Sequence, residues 1–592
     1  MDTKPISKAD IKLADSCLSK FYLKRSGFDV KPDNNEFLSF LAEGGHVIGK
    51  IGQLYYPHAV LIENDGDGST TKKLLEKESI DLFEASFHVE NLRCQVDVLL
   101  KTGNELHIIE VKSKGISPSD PNPLKKGWNE YITDITFQKL VVQKAYPNFK
   151  IHCYFLVPNK EKRTTINGLP GLFITLENDD FLPDIDFIGN QHELIEDQLL
   201  YQINVDDIVE KALPFVNSQI TLCKEILKGK VKPDIKFGKK CFGCEFKLDS
   251  PKDGFSHCWK GREIPKENAM DLYQIGKLSK KTLDMDEAIH QGKFSWNDLP
   301  HESFEGVFGL RREVQINQTR LNEEFISEEL KNEINTWKYP LHFIDFEAST
   351  GAIPIIEGMK PYEQLVFQWS CHSILQPGGP LVHSEWLNTE ITNPPLPFIE
   401  SLLDVIDTDG TILIYSSYEN TSLRNIYHHF EQSGWENPRI KTWLEKNVKF
   451  EEKDEHGFVD LLTLCKKHYF HPKMGKSNSI KAVLPAVLSA AKGESLKRIK
   501  SWLENFDKDV NLFCLKPNGE IENPYNLLPK VELLDTFMYL KEGTAAIRAY
   551  EKLLFHIETG SNEWIELVSA MKRYCKLDTL AMVIIWDHWR KK

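Results

Sequence analysis

Two carboxylates stand one residue apart in an apolar stretch of the sequence. In YPLHFIDFEAST, residues 339–350, Asp345 and Glu347 flank Phe346. A strand would place both acids on one face, where their charges repel each other and resist burial. Bound divalent cations make such a pair favourable, because carboxylate oxygens are the ligands that Mg²⁺ and Mn²⁺ prefer. The spacing predicts a metal site on a buried strand, and a solvated edge strand is the alternative.

Two later segments carry residue types that would complete such a site. TILIYSSYENTSLRNIY has the pattern of an apolar strand, a turn and the start of a helix, and it contains Glu419. MKRYCKLDTLAM places Tyr574 and Asp578 four residues apart, which puts both on one face of a helix. These side chains could join the first pair of acids. A surface pair on a terminal helix is the alternative for Tyr574 and Asp578.

FIDFE, the segment with Glu419 and YCKLD resemble, in this order, the three motifs of DnaQ-like (DEDD) 3′–5′ exonucleases. Glu419 stands where that family usually has aspartate, and YCKLD resembles the third motif of the tyrosine-bearing subgroup. The resemblance implies an RNase H-like domain that binds two Mg²⁺ or Mn²⁺ ions about 4 Å apart. It makes Tyr574 the residue that orients the attacking water. The metal ligands that it implies are Asp345, Glu347, Glu419 and Asp578.

A second set of charged residues lies nearer the beginning of the sequence. Asp97 stands in QVDVLL, and Glu110 and Lys112 stand in IIEVKSK. Paired strands would bring the two acids and the lysine to one edge of a sheet. There the acids could hold Mg²⁺ or Mn²⁺, and the ammonium group could offset negative charge on a phosphodiester. A surface hairpin with an ion pair is the alternative.

The spacing of these three residues resembles the PD-(D/E)XK nuclease signature. EGGHVIGKI resembles the helix that carries a metal-binding histidine in RecB-type nucleases. DITFQKL resembles the start of their QxxxY motif, with Val142 in the tyrosine position. The resemblance implies a restriction-endonuclease-like domain in which Asp97, Glu110 and His46 bind the metal. It makes the same two acids, with Lys112 and Gln138, catalytic residues.

Four cysteines could bind a metal together, two of them as a Cys-x2-Cys pair, which is a common metal-binding spacing. Cys17 lies in KADIKLADSCLSKFYLKR, and CFGCEFKLDSPKDGFSHC contains the other three, Cys241, Cys244 and Cys258. Four thiolates suit either zinc or an iron–sulfur cluster. Both segments resemble those of iron–sulfur RecB-family nucleases, including CRISPR-associated ones, with Leu18 in place of a proline. The resemblance implies a structural [4Fe–4S] cluster, with Zn²⁺ as the alternative. Ordinary buried thiols are expected at Cys94, Cys153, Cys223, Cys371, Cys465, Cys514 and Cys575.

Length and composition predict a multidomain globular protein. The chain has 592 residues, too many for one core, with 41% hydrophobic and 27% charged residues. Alternating helix-like and strand-like segments predict an α/β fold. We expect the PD-(D/E)XK domain over residues 1–265, a helical connector over 266–335 and the DnaQ-like domain over 336–592. The net charge of −14 does not exclude a nucleic-acid partner, because binding needs only a local basic surface.

Two absences bear on location and partners. No apolar run reaches transmembrane length and MDTKPISKADIK lacks the apolar core of a signal peptide, so we expect a cytoplasmic protein without a membrane partner. The frame from Gly44 to Lys50 resembles a phosphate-binding loop. Ile51 follows where Ser or Thr would bind Mg²⁺, so no motor activity is expected. Any unwinding would therefore come from a separate helicase or another protein partner, unless the substrate is already single-stranded.

Most of the chain resembles a bacterial family of uncharacterised proteins that fuses an iron–sulfur RecB-like nuclease to a DnaQ-like domain. RREVQINQTR, PYEQLVFQWSCH and SIKAVLPA carry the resemblance beside FIDFE and YCKLD. It implies a nuclease whose expected substrate is DNA with single-stranded or 3′ ends, in repair or phage defence. Two alternatives stay open. One is a nucleic-acid binding protein with inactive nuclease folds, and the other is an RNA-processing exonuclease.

Overall fold

The protein folds as an α/β chain of two compact units. The first unit comprises Met1–Glu263 with Gly351–Glu363, and the second comprises Ile264–Thr350 with Gln364–Lys592. The residues expected to form a connector lie in the second unit, and the three-part division stays a prediction. The computed structural model describes residues 4–32, 36–63, 65–120, 122–125, 127–176, 184–434, 437–454, 457–533, 536–538 and 543–590.

A six-stranded mixed sheet forms the centre of the first unit. Its order is β1-β2-β3-β4-β5-β8, in which β2, β3 and β4 are antiparallel neighbours and β4 is parallel to β5. A separate hairpin joins β6 to β7. The strands are β1 (Val60–Leu61), β2 (Ser79–Val89), β3 (Leu92–Thr102), β4 (Glu105–Val111), β5 (Lys150–Pro158), β6 (Phe173–Leu176), β7 (Asp184–Phe187) and β8 (Leu200–Asn204).

Helices supply the apolar side chains that bury this sheet. One core cluster includes Ile11 and Phe137, and a second includes Ile48 and Ile109. The second cluster also contains Ile353, which the segment Gly351–Glu363 contributes. The helices of this unit are α1 (Lys8–Ser16), α2 (Leu18–Arg25), α3 (Glu36–Leu54), α4 (Ser69–Leu74), α5 (Asn129–Ala145), α6 (Gln191–Asp197), α7 (Asp206–Leu227) and α8 (Gly254–Cys258).

A five-stranded mixed sheet forms the centre of the second unit. Its order is β12-β11-β10-β13-β14, with β10 antiparallel to β11 and parallel to β13. The register of β10 against β11 shifts directly after Glu347, an irregularity of the kind that re-aims side chains near a site. The strands are β9 (Phe325–Ile326), β10 (Leu341–Ser349), β11 (Leu365–Ile374), β12 (Leu381–Leu387), β13 (Thr411–Ile414), β14 (Val459–Asp460), β15 (Tyr469–Phe470), β16 (Val531–Leu533) and β17 (Thr536–Met538).

Alternate residues of the central strand β10 face different helices. Ile344 and Phe346 join a core cluster with side chains of the helices that follow β12 and β13. Phe343, on the other face, packs against Trp586 with ring centroids 5.7 Å apart. The helices are α9 (Met285–Gln291), α10 (Gly306–Leu321), α11 (Glu328–Asn335), α12 (Pro395–Ile406), α13 (Tyr418–Ser433), α14 (Pro438–Asn447), α15 (Leu461–His468), α16 (Ile480–Ala490), α17 (Gly493–Glu504), α18 (Gly543–Phe555) and α19 (Asn562–Trp589).

Most of the predicted elements are confirmed. The strands predicted at QVDVLL, IIEVK and FIDFE are β3, β4 and β10, and the helix predicted at YCKLD is α19. The segment KADIKLADSCLSKFYLKR forms two helices, α1 and α2, because Cys17 adopts an extended backbone (φ −166°, ψ 117°) between them. Its N–H closes α1 on the carbonyl of Leu13, and its own carbonyl accepts the N–H of Lys20 in α2. Within the described part of the chain, no helix is long and apolar enough to span a membrane.

Candidate functional site

Asp345 and Glu347 lie on the face of β10 that α19 covers. Cys575, on α19, places its sulfur 3.3 Å from Asp345 Oδ2. Asp578 follows it on the same helix, and one carboxylate oxygen from each of Asp345, Glu347 and Asp578 lies within 4.8 Å of the other two. The structure therefore brings together three of the four acids that the sequence assigned to one metal site.

Burial raises the pKa of each acid in this group, and repulsion adds to the rise for Asp345 and Glu347. The pKa values of Asp345 and Glu347 lie well above the ordinary range, first because of burial and then because of the charge of Asp578. Burial also raises the pKa of Asp578, although Lys481 and Tyr525 favour its ionised form. Carboxylates this close resist joint ionisation unless positive charge is added, and their oxygens suit Mg²⁺ or Mn²⁺. The donor set fits a divalent cation.

Glu419 is a buried acid beside this group. It lies in the first turn of α13 with 3% of its surface exposed, and burial raises its pKa to about 8. Its Oε2 atom has no hydrogen-bond partner among the residues that the structure describes. Its charge raises the pKa of Asp345 and Glu347, although it is not part of the three-oxygen group. A buried carboxylate oxygen without a donor is costly, and a cation would stabilise it.

Two residues that the sequence patterns missed form hydrogen bonds to Tyr574 and Asp578 at this site. Lys481, in the first turn of α16, donates to the hydroxyl of Tyr574, with the nitrogen 3.0 Å from the oxygen. Tyr525 donates its hydroxyl hydrogen to Asp578 Oδ1. The ammonium group of Lys481 also lies over both tyrosine rings, 5.5 Å and 5.1 Å from their centroids. No local pattern marks Lys481 or Tyr525, because their partners are 93 and 53 residues away.

Glu110 is the centre of the predicted site in the first unit. It is fully buried on β4, and its Oε1 atom lies 2.5 Å from the Lys112 nitrogen and 3.0 Å from that of Lys8. Gln138, on α5, donates to its other oxygen at 2.5 Å. Burial alone would raise the pKa of Glu110, but the two ammonium groups and the hydrogen bonds outweigh it and lower the pKa to about 2. Glu110 is therefore ionised at neutral pH.

Asp97 and Glu84 face each other across β2 and β3. Phe83 pairs with Val98 and Ala85 with Val96, which sets Glu84 opposite Asp97 in the register. Glu84 has a left-handed backbone (φ 58°), a conformation that costs energy for a residue with a side chain. Burial, followed by the charge of Glu110, raises the pKa of Asp97 to about 6. Burial, followed by the charge of Asp97, raises the pKa of Glu84 to about 7.

The structure assembles this site only in part as predicted. Asp97 accepts the Val111 N–H at 2.8 Å, so it lies at the end of β4 beside Glu110 and Lys112. His46 lies half-buried on α3, and in the described ranges no group of three metal-ligand atoms within 4.8 Å includes it, Asp97 or Glu110. His46 as a ligand stays a prediction.

Two buried oxygen atoms near Glu110 have no donor. Gln138 Oε1 and Asp134 Oδ1 lack a hydrogen-bond partner in the part of the chain that the structure describes. Gln138 is fully buried, and 2% of Asp134 is exposed. Orphaned acceptors of this kind call for a water or a cation that the protein atoms do not supply. A water or a cation bound at the first site would give these two acceptors a partner.

The four predicted cysteine ligands come from the beginning and the end of the first unit's main segment. Lys31 donates its N–H to the Glu245 carbonyl at 2.8 Å, which ties the segment after α2 to the cysteine-rich segment. Burial raises the pKa of Cys258 to about 12, and the nearby thiols of Cys17, Cys244 and Cys241 add to this rise. No three of these sulfurs, all in described segments, lie within 4.8 Å of one another. Of the seven cysteines expected to be buried, six are buried and Cys514 is exposed, so that expectation is wrong for Cys514.

A family model matches part of the second unit. The family described as "Domain of unknown function (DUF2779)" matches residues 342–479. The matched segment contains Asp345, Glu347 and Glu419 but ends before Tyr574 and Asp578. No curated protein and no solved structure matches the chain.

Proposed function

We propose that the protein is a metal-dependent nuclease that hydrolyses phosphodiester bonds, with DNA as its expected substrate. The convergence of Asp345, Glu347 and Asp578 on β10 and α19 carries this proposal. In it, the second unit is an RNase H-like, DnaQ-like 3′–5′ exonuclease. The first unit is a restriction-endonuclease-like PD-(D/E)XK domain. The pair corresponds to the fusion of RecB-like and DnaQ-like nucleases that the sequence resembles.

In the second unit, Asp345, Glu347, Glu419 and Asp578 would hold Mg²⁺ or Mn²⁺. Such ions supply an activated water and stabilise the leaving oxygen when they are bound. Burial, followed by the charge of Asp578, raises the pKa of Tyr574 well above its usual value. Tyr574 is therefore protonated at neutral pH and can orient a water by hydrogen bonding. Its own position depends on Lys481.

In the first unit, Asp97 and Glu110 would hold the metal and Lys112 would offset charge on the phosphate. Gln138 fixes Glu110 through the 2.5 Å hydrogen bond to its Oε2 atom. Glu84 adds a third carboxylate opposite Asp97. The lysine and the acids converge at the end of β4. This arrangement supports phosphodiester cleavage, because the acids would bind the metal while the ammonium group of Lys112 would contact the phosphate.

The resemblance to iron–sulfur RecB-family nucleases favours a [4Fe–4S] cluster over zinc at the four cysteines. A zinc ion bound at about 2.3 Å from each sulfur holds its sulfurs roughly 3.8 Å apart. In a [4Fe–4S] cluster each thiolate binds a different iron atom, which spaces the sulfurs more widely. No three of the described sulfurs of Cys17, Cys241, Cys244 and Cys258 lie within 4.8 Å of one another, so the cluster is proposed from the resemblance. Its role would be structural, since it would join the two ends of the first unit's main segment.

Digestion of end-labelled single strands tests the proposal. The purified protein is incubated with Mg²⁺ or Mn²⁺ and matched DNA and RNA, beside Asp345→Asn, Glu110→Gln and the double variant. Asp409→Asn is the control, because the side chain of Asp409 is 96% exposed. We expect Asp345→Asn to abolish stepwise loss from the 3′ end and the double variant to abolish all cleavage. Asp409→Asn should cleave like the parent.

The digestion experiment distinguishes the proposed nuclease from its alternatives. If both site variants digest as fast as the parent, both assigned sites are wrong. If the parent binds metal but digests neither substrate, the protein is a binding protein with inactive nuclease folds. Preference for RNA over matched DNA would make it an RNA-processing exonuclease, because the 2′-hydroxyl distinguishes the two substrates. Activity confined to single strands would support a separate helicase as partner.

A further inference from the structure

Lys8 places a second ammonium group among the acids of the first site. Its nitrogen lies 3.0 Å from Glu110 Oε1, the same oxygen that Lys112 approaches at 2.5 Å. The charge of Lys8 also favours the ionised forms of Asp97 and Glu84. The PD-(D/E)XK resemblance accounts for Lys112 but assigns no role to Lys8.

The backbone around Lys8 is fixed, whereas its side chain is long and partly exposed. Ile6 pairs with the end of the β2–β3 hairpin through hydrogen bonds to Asn91 and from Arg93, both 2.9 Å. Ser7 and Asp10 form a capping box at the start of α1. The Lys8 side chain is 32% exposed. Its ammonium group can therefore leave the acids and enter solvent while α1 stays in place.

We propose that Lys8 is an internal counter-ion of the first site, which occupies the place of a divalent cation and must withdraw before Mg²⁺ or Mn²⁺ binds Glu110. This inference rests on the metal site proposed for the first unit. Glu84, Asp97 and Glu110 carry three formal negative charges, and the two lysines reduce the sum to −1. An ammonium group stabilises buried carboxylates when no metal is bound, and for the same reason it competes with a metal.

The consequence is that the first site binds metal only at concentrations high enough to displace the ammonium group of Lys8. Without Lys8, the formal charge of the same group would be −2. The attraction for a divalent cation would then be stronger, because the Coulomb energy grows with the charge that the cation meets. Lys8 would thus keep the first site inactive at low metal concentrations while Lys112 remains available for the phosphate.

Calorimetric titration with Mn²⁺ tests this competition. The full chain carries Asp345→Asn and Asp578→Asn, so that binding reports the first site. In this background Lys8→Met should bind Mn²⁺ roughly tenfold more tightly than its parent. Lys24→Met is the matched control, because the Lys24 ammonium lies 3.6 Å from Asp10 and not among the site acids. Its affinity should stay within about twofold of the parent. Equal or weaker binding by Lys8→Met would overturn the proposal.

A second measurement needs no substitution of Lys8. If Mn²⁺ displaces the ammonium group, acylation of Lys8 by a succinimidyl ester should rise roughly threefold at saturating Mn²⁺, relative to Lys24. Unchanged labelling contradicts the inference even if Lys8→Met fails to fold. The variant Glu110→Gln distinguishes an error in the metal site from an error in the role of Lys8. If it binds Mn²⁺ as tightly as the parent, the proposed metal site itself is wrong. If it loses Mn²⁺ while Lys8→Met matches the parent, only the role of Lys8 is wrong.

Discussion

The ammonium group of Lys481 lies 3.0 Å from the hydroxyl of Tyr574, and the hydroxyl of Tyr525 donates to Asp578 one helical turn further along α19. Each of the two α19 residues that the site requires is thus held by a residue from another segment. This arrangement fixes the helix side chains against β10, where Asp345 and Glu347 lie. Lys481 and Tyr525 are therefore positioning residues of the proposed exonuclease.

Removal of the Lys481 ammonium should slow the exonuclease without loss of the fold. We expect Lys481→Met to lower kcat about 10- to 100-fold, with a smaller change in KM, because partners that orient active-site groups have effects of this size. Lys481→Arg should restore part of the rate. Lys497→Met is the control, since the Lys497 side chain is 75% exposed and pairs with Glu494 in the same helix. Steady-state release of nucleotides from single-stranded DNA measures these rates.

A double variant shows whether Lys481 acts through Tyr574. If it does, Lys481→Met combined with Tyr574→Phe should be no slower than Tyr574→Phe alone, because the effects of coupled residues do not add. Fully additive losses would mean that Lys481 acts on another group, such as the phosphate.

Substitution of a predicted cluster ligand should remove iron from the protein. Cys244→Ser should lose bound iron and the visible absorbance of an iron–sulfur cluster after anaerobic purification. Cys514→Ser should retain both, because Cys514 is exposed and lies in the second unit. Metal analysis of the parent gives the opposing result directly. Stoichiometric zinc without iron would make the cluster assignment wrong.

Protonation of buried His342 should destabilise the protein in mild acid. Its ring nitrogens lie 2.8 Å from Ser373 Oγ and 3.0 Å from Thr408 Oγ1, and burial lowers its pKa to about 4. The unfolded chain binds a proton below about pH 6.5, whereas the folded chain does not until about pH 4. The free energy of unfolding should therefore fall as the pH falls through this window, by roughly 3 kcal/mol in total.

Urea denaturation at pH 7 and pH 4.5 measures this dependence. His342→Gln keeps polar atoms at the same position but cannot titrate, so its stability should fall less between the two pH values. Other buried groups titrate equally in both proteins and cancel in the comparison. Parallel curves for the parent and His342→Gln would exclude His342 as a cause.

Ile353 should stabilise the first unit although it lies between two strands of the second unit in sequence. It is 8% exposed and packs in the cluster that contains Ile48 and Ile109. Ile353→Ala should lower local stability by about 2–4 kcal/mol and speed hydrogen exchange of the β4 amides. Leu375→Ala, at a position that is 58% exposed, should leave that exchange unchanged. Unchanged exchange in Ile353→Ala would mean that Gly351–Glu363 adds little to this core.

Local periodicity sufficed to predict the acids on the strands and the tyrosine on the helix. FIDFE alternates with period two, and Tyr574 and Asp578 are one helical turn apart, so element and face follow from the spacing. The same reasoning placed Asp97 and Glu110 on adjacent strands. The α/β class follows from the alternation of these patterns, and it is confirmed.

Residues that join a site through distant contacts could not be predicted in this way. Lys8 and Glu110 are 102 residues apart, and no spacing rule relates them. Glu84 depends on the register of β2 against β3 and on a left-handed backbone that its own residue type disfavours. The break between α1 and α2 at Cys17 has no local signal, because the residues on both sides of it favour helix. Such features depend on tertiary contacts, which override local preference.

Release of the 3′-terminal nucleotide tests the proposed exonuclease most directly. The substrate is single-stranded DNA with a label on its last nucleotide, and the protein carries Glu110→Gln so that the first site does not contribute. With Mn²⁺, this protein should release labelled mononucleotide, and the further change Asp578→Asn should lower the rate by roughly 100-fold or more. Release at the same rate after Asp578→Asn would contradict the assignment of Asp345, Glu347 and Asp578 as a catalytic metal site.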